Sequence, residues 1–428
     1  MSKFLYQIHS DNEVLSKHEG SIDEISELFV NDFVNKNVDE LLKQYSYTEQ
    51  VETALSRVLF VQVYAQIEST NGEYVEVLES NHIMSGSNRV IQTELQYENS
   101  AIMLVLVFDS ENRIAGFTYN QLPPEIEYSD KIVTKDIRFE SDGLSIGATI
   151  TYPESEGEFR AAVFIPGSGP TDRNSTLMGN TPLRDLSIKL AEEGIASIRF
   201  DKRTYEHGAS IDPNSFTIRE EYVYDTIAAF NQLSEDSSII KDAIYLVGHS
   251  QGAYVVPMIA KEIEAAGYVL IAPPAMPIHE LMIYQFEYLM SLGGEASSEE
   301  QSMLDQYKVM RDNINSLDEN SSFNASELFG TPQKYWLSIK EYDPIEEIRY
   351  IEKEVLILFG SRDYQVPESE YLAYKEALSS MNNVEVKSYL GMNHLMFLGE
   401  GTPTPDEYAN PGVIHEDLVK DIANFIID

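Results

Sequence analysis

The five residues Gly248-His249-Ser250-Gln251-Gly252 carry the strongest chemical signal in the chain. They follow an apolar, β-branched run from Ala243 to Val247 and precede a helical segment, AYVVPMIAKEIEAAG. A serine hydroxyl is a weak nucleophile at neutral pH, so it must be presented on a sharp turn and meet a base that takes its proton. Flanking glycines admit such a turn, because a Cβ at those positions brings steric conflict. The helix that starts beside Ser250 adds unpaired N–H groups and a positive dipole end, which suit a developing oxyanion. The spacing therefore predicts that Ser250 is a nucleophile.

In this strand–turn–helix setting the segment resembles the α/β-hydrolase superfamily. The resemblance implies that an acid and then a histidine follow the serine in chain order, on loops after later strands. Asp363 fits the acid, in Gly360-Ser361-Arg362-Asp363-Tyr364-Gln365-Val366-Pro367 after the apolar run VLILFG. His394 fits the base, in Gly391-Met392-Asn393-His394 after VEVKSYL. Of the other histidines, His9, His18 and His82 belong to an earlier domain, and His207 and His279 precede Asp363. His249 is expected to pack in the turn and His415 to open the terminal helix. The implied chemistry is an acyl-enzyme on Ser250, formed and hydrolysed with His394 as base and Asp363 fixing its tautomer; it calls for no cofactor and no metal. One oxyanion donor is expected at the Gln251 N–H. The other is expected in Ile165 to Asn174, at the Ser168 N–H, with Gly167 and Gly169 beside it against the substrate.

The strings GSGPTDRN (167–174) and FDKRTYEHG (200–208) resemble a narrower group, bacterial serine esterases of this fold with an extra amino-terminal domain. That resemblance implies a carboxylesterase for small to medium acyl esters. A thioesterase or acyl-peptide hydrolase with the same triad, or a non-catalytic binding protein on the same fold, stays open. Asp172, Arg173, Asp201 and Arg203 are expected to form a structural charge cluster beneath the site.

The elements that must position these groups are legible from periodicity. From residue 126 onward, a hairpin of KIVTKDIRFE and LSIGATITYP precedes the runs FRAAVFIPG, IASIRFD, AIYLVGHS, YVLIAPP, EVLILFGS and VEVKSYLG. Apolar runs alternating with helical stretches predict an α/β fold, a mostly parallel sheet covered on both faces. Residues 276–343 break the alternation with helical segments alone and predict a cap, whose aromatics and methionines include a minority lining an acyl pocket. Residues 1–125 predict a small α+β domain for assembly or site access. Ile22, Ile25, Phe29 and Phe33, and likewise Val51, Leu55, Val58 and Leu59, recur at helical spacing, and four β-rich segments follow. The boundary falls in QLPPEIEYSD, at Pro123 and Pro124.

Composition bounds the partners. The 428 residues hold 71 acidic and 30 basic side chains, a net charge of −41, which disfavours nucleic acid and anionic lipid surfaces. Residues 1–125 carry −13 and the remainder −28, so the acidity is a property of the whole surface, suited to solubility or to salt. With no cysteine there is no disulfide and no thiolate nucleophile. No stretch approaches the roughly 20 apolar residues of a membrane helix, and the start has no leader pattern. The expectation is a cytoplasmic protein with no membrane insertion, or a secreted one whose leader has been removed, acting on a small-molecule ester and open to homodimer formation.

Overall fold

The computed structural model describes residues 17–18, 20–85, 88–122, 131–213, 215–294 and 296–428. His9, the turn residues Gly86 and Ser87, and Pro123 and Pro124 with the expected boundary lie outside them. The chain divides into two compact units, Met1–Glu125 and Ile126–Asp428.

In the first unit, helix Ile22–Val34 starts at Ser21, whose hydroxyl and the Glu24 carboxylate form a reciprocal capping box. Ile25, Phe29 and Phe33 turn inward, as their spacing predicts. The second apolar stripe does not form one helix face. Ser56 interrupts it by accepting a hydrogen bond from Leu59 N, which ends helix Glu49–Ala54 and starts a new one, Arg57–Asn71. Val58 is left exposed as a result. Strands β1 (Tyr74–Ser85), β2 (Asn88–Tyr97), β3 (Ala101–Phe108) and β4 (Ile114–Gln121) follow as an antiparallel meander in that order. Alternate residues Ile91, Leu95, Ile102, Leu104 and Leu106 meet the helices in a single core.

The second unit begins with β5 (Ile132–Ser141) and β6 (Leu144–Pro153), joined through Asp142-Gly143. Both turn residues have positive φ, which matches the twist of a tight hairpin. Then come β7 (Phe159–Ile165), β8 (Ala196–Phe200), β9 (Ile239–His249), β10 (Tyr268–Ile271), β11 (Val355–Gly360) and β12 (Val384–Tyr389). The sheet runs in the order β12-β11-β10-β9-β7-β8-β6-β5; neighbours from β12 to β8 are parallel, and β6 returns antiparallel to β8.

Burial on both faces explains the unbroken apolar runs. Ala161, Val163 and Ile165 of β7 face a core shared with helix Gln251–Ile259, while Ala162 and Phe164 face helices Pro182–Glu192 and Glu416–Ile427. Each large apolar side chain enclosed in this way contributes roughly 1.5–3 kcal/mol. Helix Gln251–Ile259 is shorter than the sequence suggested, ending two residues past Pro257. The proline ring crowds the preceding turn and cannot donate to it. Between β10 and β11 the chain runs through helices Ile278–Leu292, Ser298–Ser316 and Gln333–Ile339, and no described residue there is in a strand. Leu281, Ile314, Trp336 and Ile339 join the sheet's core, so this cap is packed down onto it.

The strand order reverses direction between β7 and β9. Ligands of open parallel sheets bind at such a switch point, beyond the carboxyl ends of the strands. Ser250, Asp363, His394 and the Gly167 loop all follow strand ends at that edge.

Candidate active site

Ser250 sits between β9 and helix Gln251–Ile259 with φ 55° and ψ −122°, a conformation that costs a residue with a side chain roughly 1–3 kcal/mol. Two bonds hold it there. Its N–H donates to Ile271 O at 2.8 Å, and its carbonyl accepts from Tyr254 N at 2.9 Å. The flanking glycines are required by close approach: a Cβ on Gly248 would lie 2.6 Å from Ala253 Cα, and one on Gly252 would collide with the Ile165 carbonyl. The G-x-S-x-G spacing is thus dictated by the backbone that lifts the serine out of the sheet.

Asp363 and His394 are brought together across neighbouring strand ends, with His394 Nδ1 2.7 Å from Asp363 Oδ2 and both side chains buried. The other carboxylate oxygen accepts from Gln365 N at 2.8 Å and Val366 N at 2.9 Å. A carboxylate oxygen accepts, so His394 donates from Nδ1, and Nε2 is the ring nitrogen not engaged by Asp363. The loop bearing His394 is closed by Asn393, whose side-chain oxygen accepts from Leu395 N and Phe397 N.

His249 is buried next to Ser250 and donates from Nε2 to the His394 carbonyl at 2.8 Å. Burial, then the neighbouring His394, push its pKa down to about 3, so it packs the turn as a neutral ring. His415 caps the terminal helix by accepting from Asp417 N.

Gly167 passes close under Ser250; a Cβ added to it would lie 3.3 Å from that of the serine. Ser168 and Gly169 line the same cavity as Ser250 and Gln251, a space of about 530 Å³. Its apolar wall comes from Phe216 and, in the cap, Ile278, Leu281, Met282 and Trp336. Of the cap aromatics and methionines, Met282, Tyr335 and Trp336 reach this wall; Phe286 and Tyr307 pack on each other, with ring centroids 4.8 Å apart.

The expected charge cluster resolves into separate pairs. Arg173 holds Asp201, with Nη2 2.6 Å from Oδ2, and Arg203 holds Asp225 through two bonds of 2.7 and 3.0 Å. Asp172 joins neither and fastens its own turn, accepting from Thr176 N. Sequence reasoning passed over Lys202, which lies between Asp201 and Arg203 and is 1% exposed. It also passed over Glu221 and Tyr222. A lysine two residues past strand β8, between an aspartate and an arginine, was the available signal. Among the described residues, no three His, Asp or Glu side chains gather in a way that could hold a metal ion, and no helix is long and apolar enough to cross a membrane.

The sequence pattern of the alpha/beta hydrolase family matches residues 162–410, from β7 to beyond His394, and the chain belongs to that family. Esterase EstD of Thermotoga maritima is 30% identical over 412 residues, covering 95% of this chain and 96% of that protein. Among solved structures, Est1E from Butyrivibrio proteoclasticus is 17% identical with a TM-score of 0.43, over 68% of this chain and 97% of its own. An esterase from Pyrococcus furiosus is 16% identical with a TM-score of 0.44, over 71% of this chain and 96% of its own.

Proposed function

We propose that the protein is a serine carboxylesterase for small to medium acyl esters, working through an acyl-enzyme on Ser250. The observation that carries this reading is the buried 2.7 Å bond from His394 to Asp363, at the sheet edge where the strained turn presents Ser250. In the first half-reaction His394 Nε2 takes the Ser250 proton as Oγ attacks the ester carbon; the carbonyl π pair moves to oxygen, then returns as the alkoxide leaves with the proton from His394. Water repeats the sequence on the acyl-enzyme and releases the acid. Asp363 stays ionised and stabilises the imidazolium between transfers. The N–H groups of Gln251 and Ser168 are assigned to the oxyanion, and Gly167 and Gly169 let the backbone approach it.

The cavity, about 530 Å³ and walled by Leu281, Met282 and Trp336, suits an acyl chain of a few carbons or a small aromatic acid. The relationship to a protein named an esterase supports an ester over a thioester or peptide. A panel of aryl esters, acyl-CoA thioesters and acyl-peptides, run on the protein and on Ser250→Ala, tests this. Ester turnover is expected to dominate and to fall by at least about 10⁴-fold in the variant. A Ser250→Ala protein that keeps its rate contradicts the mechanism, and a preference for thioesters or peptides moves the substrate class.

For residues 1–125 the reading is assembly or access to the site, since Val58, Val61, Val75 and Val77 are exposed apolar residues in that unit. A homodimer is expected in light scattering; a monomer at tens of micromolar removes the assembly role.

A further inference from the structure

The carbonyl of Gly167 is held in an unusual way. It accepts from Lys202 Nζ at 3.1 Å and from the Tyr222 hydroxyl at 2.9 Å, so both of its lone pairs are engaged. The lysine in turn spends all three of its N–H groups inside the protein: on Gly167 O, on Glu221 Oε1 at 2.6 Å and on the Tyr222 oxygen at 2.9 Å. Glu221 and Tyr222 are consecutive, and an ordinary helix turns consecutive side chains about 100° apart. Here both reach the same ammonium, from a π turn over Arg219–Val223, a local widening that recurs at functional sites.

A trans peptide points its C=O and its N–H in opposite directions. Fixing the Gly167 carbonyl toward Lys202 and Tyr222 therefore fixes the Ser168 N–H away from them, and Ser168 lines the cavity of Ser250. Gln251 Nε2 donates to the Tyr335 hydroxyl at 2.7 Å, and Tyr335 and Glu221 line the same cavity. The Gln251 side chain is thus tied to the cap, while the buried Lys202–Glu221 pair holds Gly167. Burial lowers the lysine's pKa, and Glu221 opposes that shift.

We propose that Lys202 and Tyr222 are positioning residues for the oxyanion site: together they clamp the Gly167 carbonyl and so aim the Ser168 N–H at the oxygen of the tetrahedral intermediate. The inference rests on the serine-esterase reading and adds to it the group that preorganises its electrostatics. An unclamped peptide can rotate, and the donor must then be reoriented at the moment of reaction, which is what a preorganised site avoids. The clamp touches no substrate, so its loss acts on transition-state stabilisation rather than on binding.

The test uses the full-length protein, Tyr222→Phe, and the paired variant Lys202→Met/Glu221→Gln, which removes the charge pair without leaving either ion alone. Measured are kcat and KM for an aryl ester, inhibition by a trifluoromethyl ketone that forms a tetrahedral adduct on serine, and the melting temperature. Tyr222→Phe is expected to lower kcat about tenfold with KM within twofold, and to weaken the ketone by the same factor; the paired variant is expected to lose about 100-fold. Tyr222→Phe removes one oxygen and keeps the ring, so it decides the matter even if the paired variant fails to fold. Unchanged kcat and ketone affinity in Tyr222→Phe, or a loss confined to KM, overturns the proposal. Ser250→Ala run alongside separates the two claims: activity surviving there fails the serine reading itself, whereas its loss there beside a fully active Tyr222→Phe fails only the clamp.

Discussion

The site has two halves, on either side of the strand that carries Ser250, and they are built differently. On the β11 and β12 side, Asp363 and His394 are held by bonds inside their own loops, to Gln365 N, Val366 N and, through Asn393, to Leu395 N and Phe397 N. On the β7 and β8 side, the Gly167 loop, to which we assign an oxyanion donor, is held from a distance: Lys202 and Tyr222 grip the Gly167 carbonyl, Glu221 backs the lysine, and Asp201 grips Arg173. The acid–base half needs a proton carrier whose orientation is set by one partner, and a short loop can supply that. The oxyanion role we assign to the Gly167 loop needs a backbone N–H aimed into the cavity, and a grip on the carbonyl of the same peptide aims it.

The largest effect that sharpens this contrast is expected in the acid–base half. Asp363→Asn keeps an acceptor for Gln365 and Val366 but offers His394 the wrong tautomer, so kcat should fall about 10⁴-fold while the melting temperature stays near that of the parent. A loss under tenfold would mean that Asp363 is not the partner that matters. On the β7 and β8 side a penalty in folding is expected beside the loss in kcat predicted for Tyr222→Phe. Asp225→Ala removes the two-bond partner of the Arg203 guanidinium, which is 3% exposed, and leaves it Asp142 Oδ2 at 3.3 Å; the change is expected to cost about 3 kcal/mol in urea unfolding. An equally large stability loss on cutting the local loop bonds of Asn393 would erase the distinction between the halves.

The smallest effect concerns His249, whose pKa is pushed down to about 3 while the unfolded chain titrates near 6.5. Between those values the unfolded state binds the proton that the folded state refuses. Stability from this group is therefore full above about pH 6.5 and is lost as the pH falls toward 3, at up to about 1.4 kcal/mol per pH unit. His249→Gln, which retains an N–H for the His394 carbonyl, should flatten the curve by that amount between pH 6 and 4; an unchanged slope would contradict a neutral, buried His249.

The same difference governs what could be read from the chain. Ser250 and Asp363 follow apolar strands and His394 an alternating one, VEVKSY, so pattern and chain order pointed to all three, and the structure brings Asp363 and His394 together. The strands of both units were legible for the same reason, since burial on one or both faces writes itself into alternation or into unbroken apolar runs. Lys202 was not legible. Its partners lie 19, 20 and 35 residues away, and only the folded sheet brings them to it. The π turn escaped as well, because no residue type marks the extra residue in a helical turn. Local chemistry also misled once. The stripe of Val51, Leu55, Val58 and Leu59 has helical spacing, yet Ser56 finds a better use as a cap and breaks the helix in two.

The central claim, that Ser250 is an activated nucleophile, is tested most directly by mass spectrometry of the protein treated with a fluorophosphonate. The account predicts a stoichiometric adduct on the peptide bearing Ser250, lost in Ser250→Ala and slowed strongly in Asp363→Asn. An adduct on another residue, or a folded protein that takes up none, would contradict it.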